Sequence, residues 1–115
     1  MQLPMEREPT LLSENRSSLQ VHLLAEELEE YKQAIFDEDI EQIADALGDL
    51  VVVAIGAMCE HGLPIERVMR AIYESNMSKL DENNNPIFRE DGKLLKGPNF
   101  KEPDLSFLKS KVNAA

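Results

Sequence analysis

Two aspartates near the middle of the chain, Asp45 and Asp49, have the types and spacing to support chemistry. They are the only charged residues between Ile43 and Met58, and the apolar residues of this stretch would point in every direction around a helix. Residues four apart lie on one face of a helix, one turn from each other. A helix apolar on all sides is predicted to be buried. The two carboxylates are then predicted to face the protein interior, where they need a cation, a basic partner or a proton.

A second acidic pair, Glu27 and Glu30, stands in the preceding helical segment. On a helical wheel Glu27 falls inside the apolar arc and Glu30 falls at its edge, whereas Glu26 and Glu29 point toward solvent. In a chain with 22 acidic residues, such a pair taken alone is more often a solvated helix face. Together with the aspartates of the next helix, it forms a candidate site.

Four carboxylates from two helices would make a cage of oxygen ligands. Hard divalent cations prefer such cages, and a few carboxylates completed by water suit Mg²⁺, or Mn²⁺ in its place. Without nitrogen or sulfur ligands, zinc and copper are not expected, and the single cysteine, Cys59, is predicted to fill the core. Open coordination positions could receive phosphate oxygens and a water molecule, so the chemistry indicated is phosphoryl or nucleotidyl transfer.

The composition limits the partners. A chain of 115 residues is predicted to form one domain, and its net charge of −10 argues against binding nucleic acid polymers or anionic membranes. The longest uncharged run, Leu50 to Cys59, is about half a membrane span. The first residues do not have the pattern of a signal peptide. A cytoplasmic protein is therefore expected.

The pattern of apolar residues and helix stops predicts an all-α fold, a helical bundle completed by oligomerisation. We predict an N-terminal arm over residues 1–17 and a three-helix core over 18–80. Helix 1 begins at Ser17 or Ser18 and ends near Phe36, helix 2 ends near His61, and helix 3 spans 64–79. Three short helices cannot cover a helix that is apolar on all sides. A homodimer or a dimer of dimers is therefore expected.

Residues 81–115 are the basic part of this acidic chain. Asp91-Gly92 between two short apolar runs predicts a small β-hairpin, and residues 104–112 predict a short C-terminal helix. Four basic residues lie within thirteen positions of this segment: Arg89, Lys93, Lys96 and Lys101. In helix 3, Asn76 lies inside the apolar stripe, where an amide needs hydrogen-bond partners.

Taken in order, these segments resemble a known family. The string EELEEYKQAI is followed by DALGDL, an apolar helix, SNMSKLD and REDGKLLKGPN. This order resembles the all-α nucleoside triphosphate pyrophosphohydrolases, the MazG and phosphoribosyl-ATP pyrophosphohydrolase-like superfamily, and looks most like its small bacterial and phage members. The resemblance covers about Leu19 to Leu105.

The resemblance implies an Mg²⁺-dependent enzyme that cleaves a nucleoside triphosphate between its α and β phosphates, in nucleotide-pool house-cleaning. The family's E-x-x-E motif falls on Glu27 and Glu30, either of which would orient the attacking water. Its E-x-x-D motif falls on Ala46 and Asp49, so the glutamate is absent and Asp45 is expected to replace it. The missing glutamate is the best support for an alternative, an inactive nucleotide-binding or protein-interaction module of the same fold.

The resemblance also assigns roles to residues after helix 2. Asn76 is implied as a polar partner of the metal site, and Lys79 as a phosphate ligand. A triphosphate brings about four negative charges into an already acidic site, so the protein must contribute cations. Lys93 and Lys96 stand with the resembling motifs, and we expect the hairpin to fold over the phosphates.

Overall fold

The computed structural model of the protein describes residues 8–111 and 113–114. Over these residues the chain is mainly helical, which confirms the all-α prediction. Residues 1–7 of the predicted arm and residue 112 of the predicted last helix lie outside the described residues. The elements are β1 (Thr10–Leu11), α1 (Glu14–Phe36), α2 (Ile40–Glu60), α3 (Ile65–Met77), a 3₁₀ helix (Ser106–Lys111) and β2 (Asn113–Ala114).

The chain divides into two compact units. One contains residues 1–63 and 111–115, and the other contains residues 64–110. In the first unit α1 packs along α2, and β1 pairs in parallel with β2. The second unit contains α3 and most of the residues that follow it. One domain over residues 1–115 stays a prediction.

Helix α1 begins earlier than the sequence suggested. Ser13 is its N-cap, and the Ser13 hydroxyl accepts a hydrogen bond from the backbone N–H of Arg16 at 3.3 Å. The prediction that Ser17 or Ser18 caps this helix was wrong. Both of those serines lie within the helix, because Ser13 satisfies a free N–H group of the first turn four residues earlier.

A three-residue turn, residues 37–39, joins α1 to α2. Its middle residue, Glu38, has a φ of 51°, and Asp39 caps α2 by accepting hydrogen bonds from the N–H groups of Glu41 and Gln42. At the other end, α2 stops at Glu60, and Gly62 follows with a φ of 68°. This agrees with the predicted stop near residue 61. The short turn makes α1 and α2 antiparallel neighbours.

The predicted burial of α2 is not found in a single chain. Among its residues only Ala46 and Glu60 are buried, while Val51 and Val52 are 58% and 64% exposed. Asp45 and Asp49 are exposed as well, which corrects the prediction that both face the interior. The physical reason is that α1 covers α2 along one side, whereas the pattern of apolar residues predicts cover on all sides.

At the end away from the turn, charged and polar groups hold the first unit together. Arg16 donates from Nε to Glu60 Oε1 at 2.5 Å and from Nη2 to Oε2 at 3.0 Å, and Gln20 donates to the same Oε2 at 2.8 Å. The backbone N–H of Thr10 donates to the carbonyl of His61 at 2.8 Å. Only 5% of the Glu60 side chain is exposed, so the hydrogen bonds satisfy a nearly buried carboxylate.

We expect the stability contributed by Glu60 to disappear in acid. The hydrogen bonds from Arg16 hold the pKa of this carboxyl below its ordinary value of 4.5, against the opposing effect of burial, and Gln20 lowers it further. Because the folded state then binds fewer protons than the unfolded state, stability is present above pH 4.5 and falls as the pH drops through the lower folded pKa. Thermal melts of wild type and Glu60→Gln should differ at neutral pH and converge as the pH drops through the lowered folded-state pKa of Glu60. Glu29→Gln, at an exposed position, is the control. A difference in melting temperature between wild type and Glu60→Gln that does not vary with pH would contradict the role assigned to the Glu60 carboxylate.

In the second unit, α3 ends at Met77, two residues before the predicted end, with Ser78 as its C-cap. The buried Ser75 hydroxyl donates to the carbonyl of Lys101 at 2.8 Å, and the N–H of Gly97 donates to the carbonyl of Lys79 at 2.7 Å. A Cβ at Gly97 would lie 2.5 Å from that carbonyl oxygen, so this approach requires glycine. The segment after α3 therefore packs back on the end of the helix.

The segment predicted as a β-hairpin contains one isolated antiparallel bridge, between Phe88 and Leu94. Gly92 has a φ of 89°, and its N–H donates to the carbonyl of Arg89, which closes the turn predicted at Asp91-Gly92. The predicted C-terminal helix is a 3₁₀ helix that begins at Ser106. The backbone thus turns where the sequence indicates, with less regular pairing than a two-stranded hairpin.

Candidate metal centre

Three carboxylates from α1 and α2 converge in the first unit. Glu27, Glu30 and Asp49 each present an oxygen, and these three oxygens lie within 4.8 Å of one another. Glu27 stands eleven residues before Glu38, the middle of the turn, and Asp49 stands eleven residues after it. Two antiparallel helices joined by a tight turn therefore carry these two side chains at the same level.

The electrostatics of Glu27 indicate a cation-binding environment. Burial raises the pKa of its carboxyl, and the hydrogen bond with Glu30 and the charges of Glu30, Asp49 and Asp45 raise it further. Its Oε2 atom is buried and has no hydrogen-bond partner among the described residues. A buried oxygen without a donor, beside two further carboxylates, fits a metal ion with oxygen ligands. The cluster of Glu27, Glu30 and Asp49 could therefore bind a metal.

Asp45 lies close to this cluster without belonging to the group of three. It borders a groove that it shares with Glu30, Gln33, Gln42 and Ala46. Its charge adds to the raised pKa of Glu27, although it contributes less than Asp49 does. An exposed carboxylate beside the cluster can contribute negative charge, or coordinate a metal ion through a water molecule, without contacting the ion directly. Asp45 as a fourth ligand stays a prediction.

Ala46 is 4% exposed, so the position where the resembling family has glutamate is occupied by a small buried side chain. The neighbouring acids on α1 behave as predicted for solvent-facing residues. Glu26 pairs with His22 at 2.9 Å, and Glu29 pairs with Lys32 at 3.4 Å, with exposed side chains in both pairs. Neither pair contributes to the cluster of three carboxylates.

The predicted substrate-binding residues lie in the second unit. Asn76 is exposed, one residue before the end of α3, and Lys79 follows in the next turn. The backbone contact of Gly97 with Lys79 brings the segment of Lys96 beside the end of α3. Two of the predicted lysines, Lys79 and Lys96, therefore belong to one region of this unit.

Lys96 and Lys93 both make contacts with neighbouring residues of the second unit. Lys96 Nζ lies 3.8 Å from Glu102 and 4.7 Å from the centre of the Phe100 ring. Lys93 follows the Asp91-Gly92 turn, and its backbone N–H donates to Asp91 Oδ1 at 3.2 Å. Both side chains are exposed to solvent and accessible to an anionic ligand. Phosphate binding by these lysines stays a prediction.

Arg16, Gln20 and Glu60 were not singled out from the sequence. The sequence nevertheless contains a spacing that relates them to the carboxylates. Glu60 stands eleven residues after Asp49, and Arg16 stands eleven residues before Glu27. Eleven residues are about three helical turns, so each of these residues shares a face with a carboxylate of the cluster. Recognising the signal required knowing how the two helices are paired.

Comparison with known proteins identifies one family. The profile of the phosphoribosyl-ATP pyrophosphohydrolase family matches residues 1–76 of the chain. The matched range contains the three carboxylates and Asp45, and it ends at Asn76, before the predicted phosphate-binding lysines. A search of curated proteins found no match.

Proposed function

Because the chain belongs to the phosphoribosyl-ATP pyrophosphohydrolase family, within the MazG-like all-α superfamily, we propose that it hydrolyses nucleoside triphosphates between the α and β phosphates. The family consists of hydrolases that act on phosphoric anhydrides. Water and the triphosphate would give a nucleoside monophosphate and pyrophosphate. The observation that carries this proposal is the convergence of Glu27, Glu30 and Asp49 within 4.8 Å.

The cofactor of this reaction is Mg²⁺, with Mn²⁺ as a substitute. Glu27, Glu30 and Asp49 would hold it, and Asp45 would add charge from the side. All of these donors are carboxylate oxygens, as both ions prefer. When bound, the ion supplies positive charge that polarises phosphate oxygens and makes water more acidic.

The protein's own side chains would position the water and neutralise the leaving group. Glu27 or Glu30 accepts a proton as a water oxygen bonds to the α-phosphorus. The bond from that phosphorus to the oxygen bridging to the β-phosphate breaks, and pyrophosphate leaves with the electron pair. Lys79, Lys93 and Lys96 would balance the charge on the phosphates, with Asn76 as a polar partner of the metal site.

The active form is proposed to be a homodimer or a dimer of dimers. Large apolar side chains are exposed on both helices of the first unit, and the buried apolar side chains of these helices are Ala34 and Ala46. A second copy has the same apolar face and can cover this one, as a symmetric dimer does. The exposed apolar residues of α1 and α2 include Val21, Leu28, Ile35, Phe36, Ile40, Leu47, Val51, Val52 and Ile55.

We expect sedimentation at micromolar concentration to show no dominant monomer. Val52→Glu should shift the protein toward monomer, because it places a charge on the apolar face of α2, where Val52 is 64% exposed. Glu29→Lys, at an exposed position of α1 outside the apolar face, is the matched control and should leave the assembly unchanged. A wild-type protein that sediments as a monomer would contradict the proposal.

Of the described helices, α2 is long and apolar enough to cross a membrane. Asp49, however, lies near its middle, where a charged side chain costs roughly 2.5–3.5 kcal/mol in a bilayer. In a folded helical protein, the same residue forms a carboxylate cluster with Glu27 and Glu30 that could bind a metal ion. We therefore propose that α2 is covered by protein in a cytoplasmic enzyme, with no nucleic acid polymer or membrane as a partner.

A panel of substrates tests the activity. Pyrophosphate release should be measured with the common and the damaged nucleoside triphosphates and with phosphoribosyl-ATP, each with Mg²⁺ and with a chelator. Release that requires the metal, for at least one compound, is the expected result. If nucleotides raise the melting temperature without any release, the chain would be the inactive binding module that Ala46 favours.

A further inference from the structure

Outside the carboxylate cluster, Arg16 and the nearly buried Glu60 form an ion pair between α1 and α2. Arg16 donates two hydrogen bonds to the two oxygens of Glu60, at 2.5 and 3.0 Å, and Gln20 donates a third at 2.8 Å. Such two-pronged contacts fix direction as well as distance. The pair joins the first turn of α1 to the last turn of α2.

The dipoles of the two helices do not explain why these charges are placed there. Arg16 lies near the positive N-terminal end of α1, and Glu60 lies at the negative C-terminal end of α2. Each charge is therefore at the unfavourable end of its own helix. The two residues are stabilised by each other, so their placement serves the connection between the helices.

The position of the pair relates it to the carboxylate cluster. Glu27 and Asp49 are each eleven residues from Glu38 in the turn, and eleven residues from Arg16 and Glu60 respectively. The cluster therefore lies halfway between the turn, which connects α1 to α2, and the ion pair. At about 1.5 Å per residue, the ion pair and the cluster are roughly 16 Å apart along the helices.

Apolar packing between the two helices specifies their register only weakly. The buried apolar side chains of α1 and α2 are Ala34 and Ala46, and none of the described large side chains is fully buried. Small side chains allow two helices to slide or to separate more readily than interlocking large ones do. A sliding movement of one turn would displace Asp49 from Glu27 by about 5.4 Å, more than the 4.8 Å that spans the three oxygens.

We propose that Arg16 and Glu60 are positioning residues of the hydrolase. The pair holds the open end of the α1–α2 hairpin in register, and thereby keeps the carboxylates of Glu27, Glu30 and Asp49 close enough to share one cation. Buried polar contacts that select one register are known in helical assemblies. This inference rests on the proposed function for the identity of the cation, and on the observed geometry for the rest.

The first test measures Mn²⁺ affinity of the folded protein by electron paramagnetic resonance, well below the melting temperature. Arg16→Ala should weaken Mn²⁺ binding about tenfold, as the loss of a group that orients metal ligands does. Ser13→Ala is the matched control, because it removes the N-cap hydrogen bond from the backbone N–H of Arg16 and lowers stability, while both side chains of the ion pair stay in place. It should leave Mn²⁺ affinity unchanged.

A charge exchange provides the rescue. Arg16→Glu alone should weaken Mn²⁺ binding at least as much as Arg16→Ala, because it places two carboxylates together. Arg16→Glu combined with Glu60→Arg should restore binding, since the pair is re-formed and each charge now lies at the favourable end of its helix. Equal Mn²⁺ affinity in wild type and Arg16→Ala would overturn the proposal, and so would equal weakening in Ser13→Ala.

A second readout separates this proposal from the metal assignment. Spin labels at the exposed positions of Ser18 and Glu41, outside the apolar face, report the distance between α1 and α2 within one chain when a Cys59→Ser background is used and labelled protein is diluted with unlabelled protein. We expect a narrow distance distribution with the native pair and with Ser13→Ala, and a broad one with Arg16→Ala. If the wild type bound no Mn²⁺, the metal assignment would fail, and broadening in Arg16→Ala would still support the pair's role. An unchanged distribution would overturn it.

Discussion

Asp49→Asn and Glu30→Gln are each expected to abolish pyrophosphate release. Each variant replaces one of the three carboxylates whose oxygens converge within 4.8 Å by a neutral amide, which is a weaker ligand for a divalent cation. A cation in such a site contributes several kcal/mol of charge stabilisation, so the loss of a ligand should reduce kcat/KM by about a thousandfold or more. Initial rates at saturating Mg²⁺ and a fixed triphosphate concentration measure the effect.

The same variants are expected to fold as well as the wild type, or better. Without metal, the charges of Glu30 and Asp49 both raise the pKa of Glu27, so these carboxylates repel one another. Removing one charge relieves this repulsion. Melting temperatures in the presence of a chelator should be unchanged or higher for Asp49→Asn and Glu30→Gln, which combines lost activity with retained stability.

Glu29→Gln is the control for this pair of variants. Glu29 lies on the same helix, one residue before Glu30, and pairs with Lys32 in solvent. Its activity should equal that of the wild type. Equal losses in Glu29→Gln, Glu30→Gln and Asp49→Asn would show that the wrong face of α1 had been assigned. The activity of Asp45→Asn should lie between that of Glu29→Gln and that of Asp49→Asn, because Asp45 adds charge from outside the group of three carboxylates.

The second large effect is expected from the lysines of the other unit. Lys79→Ala and Lys96→Ala should each lower kcat or raise KM by about tenfold to a thousandfold, an effect of roughly 1.4–4 kcal/mol. A triphosphate adds about four negative charges beside carboxylates, and the bound ion cannot balance both. Mn²⁺ affinity measured without nucleotide should be unchanged, which separates phosphate binding from metal binding.

The contacts of Lys96 are compatible with this role. Its Nζ lies 3.8 Å from Glu102, and both side chains are exposed. An exposed pair of this kind contributes about 1 kcal/mol or less, so a phosphate can replace Glu102 as its partner. Lys32→Ala is the matched control, because Lys32 also pairs with a glutamate in solvent.

A truncation decides whether the C-terminal segment takes part at all. Removing the residues beyond Asn84 deletes Lys93 and Lys96, and also the Gly97 and Lys101 contacts with the end of α3. We expect steady-state hydrolysis to be lost. Hydrolysis at the wild-type rate would make this segment a packing element and leave phosphate recognition to α3 and the metal.

The spacing of the acids along each helix was determined by the sequence alone. Residues three or four apart in a helix share a face, whatever surrounds that helix. For this reason helical periodicity is enough to pair Glu27 with Glu30, and Asp45 with Asp49. The stop after α2 could be identified for a similar reason, because Gly62 takes a backbone conformation, with a φ of 68°, that other residues adopt rarely.

Only the tertiary structure decided which carboxylates meet. The partnership of Glu27 with Asp49, the buried oxygen of Glu27 and the pairing of Arg16 with Glu60 all depend on the register of two helices. That register follows from the turn around Glu38 and from contacts between residues distant in sequence, which helical periodicity does not describe. The exposure of α2 differed from expectation for a related reason. An apolar pattern shows that a helix needs cover, whereas the packing of α1 along one side shows how much of that cover a single chain provides.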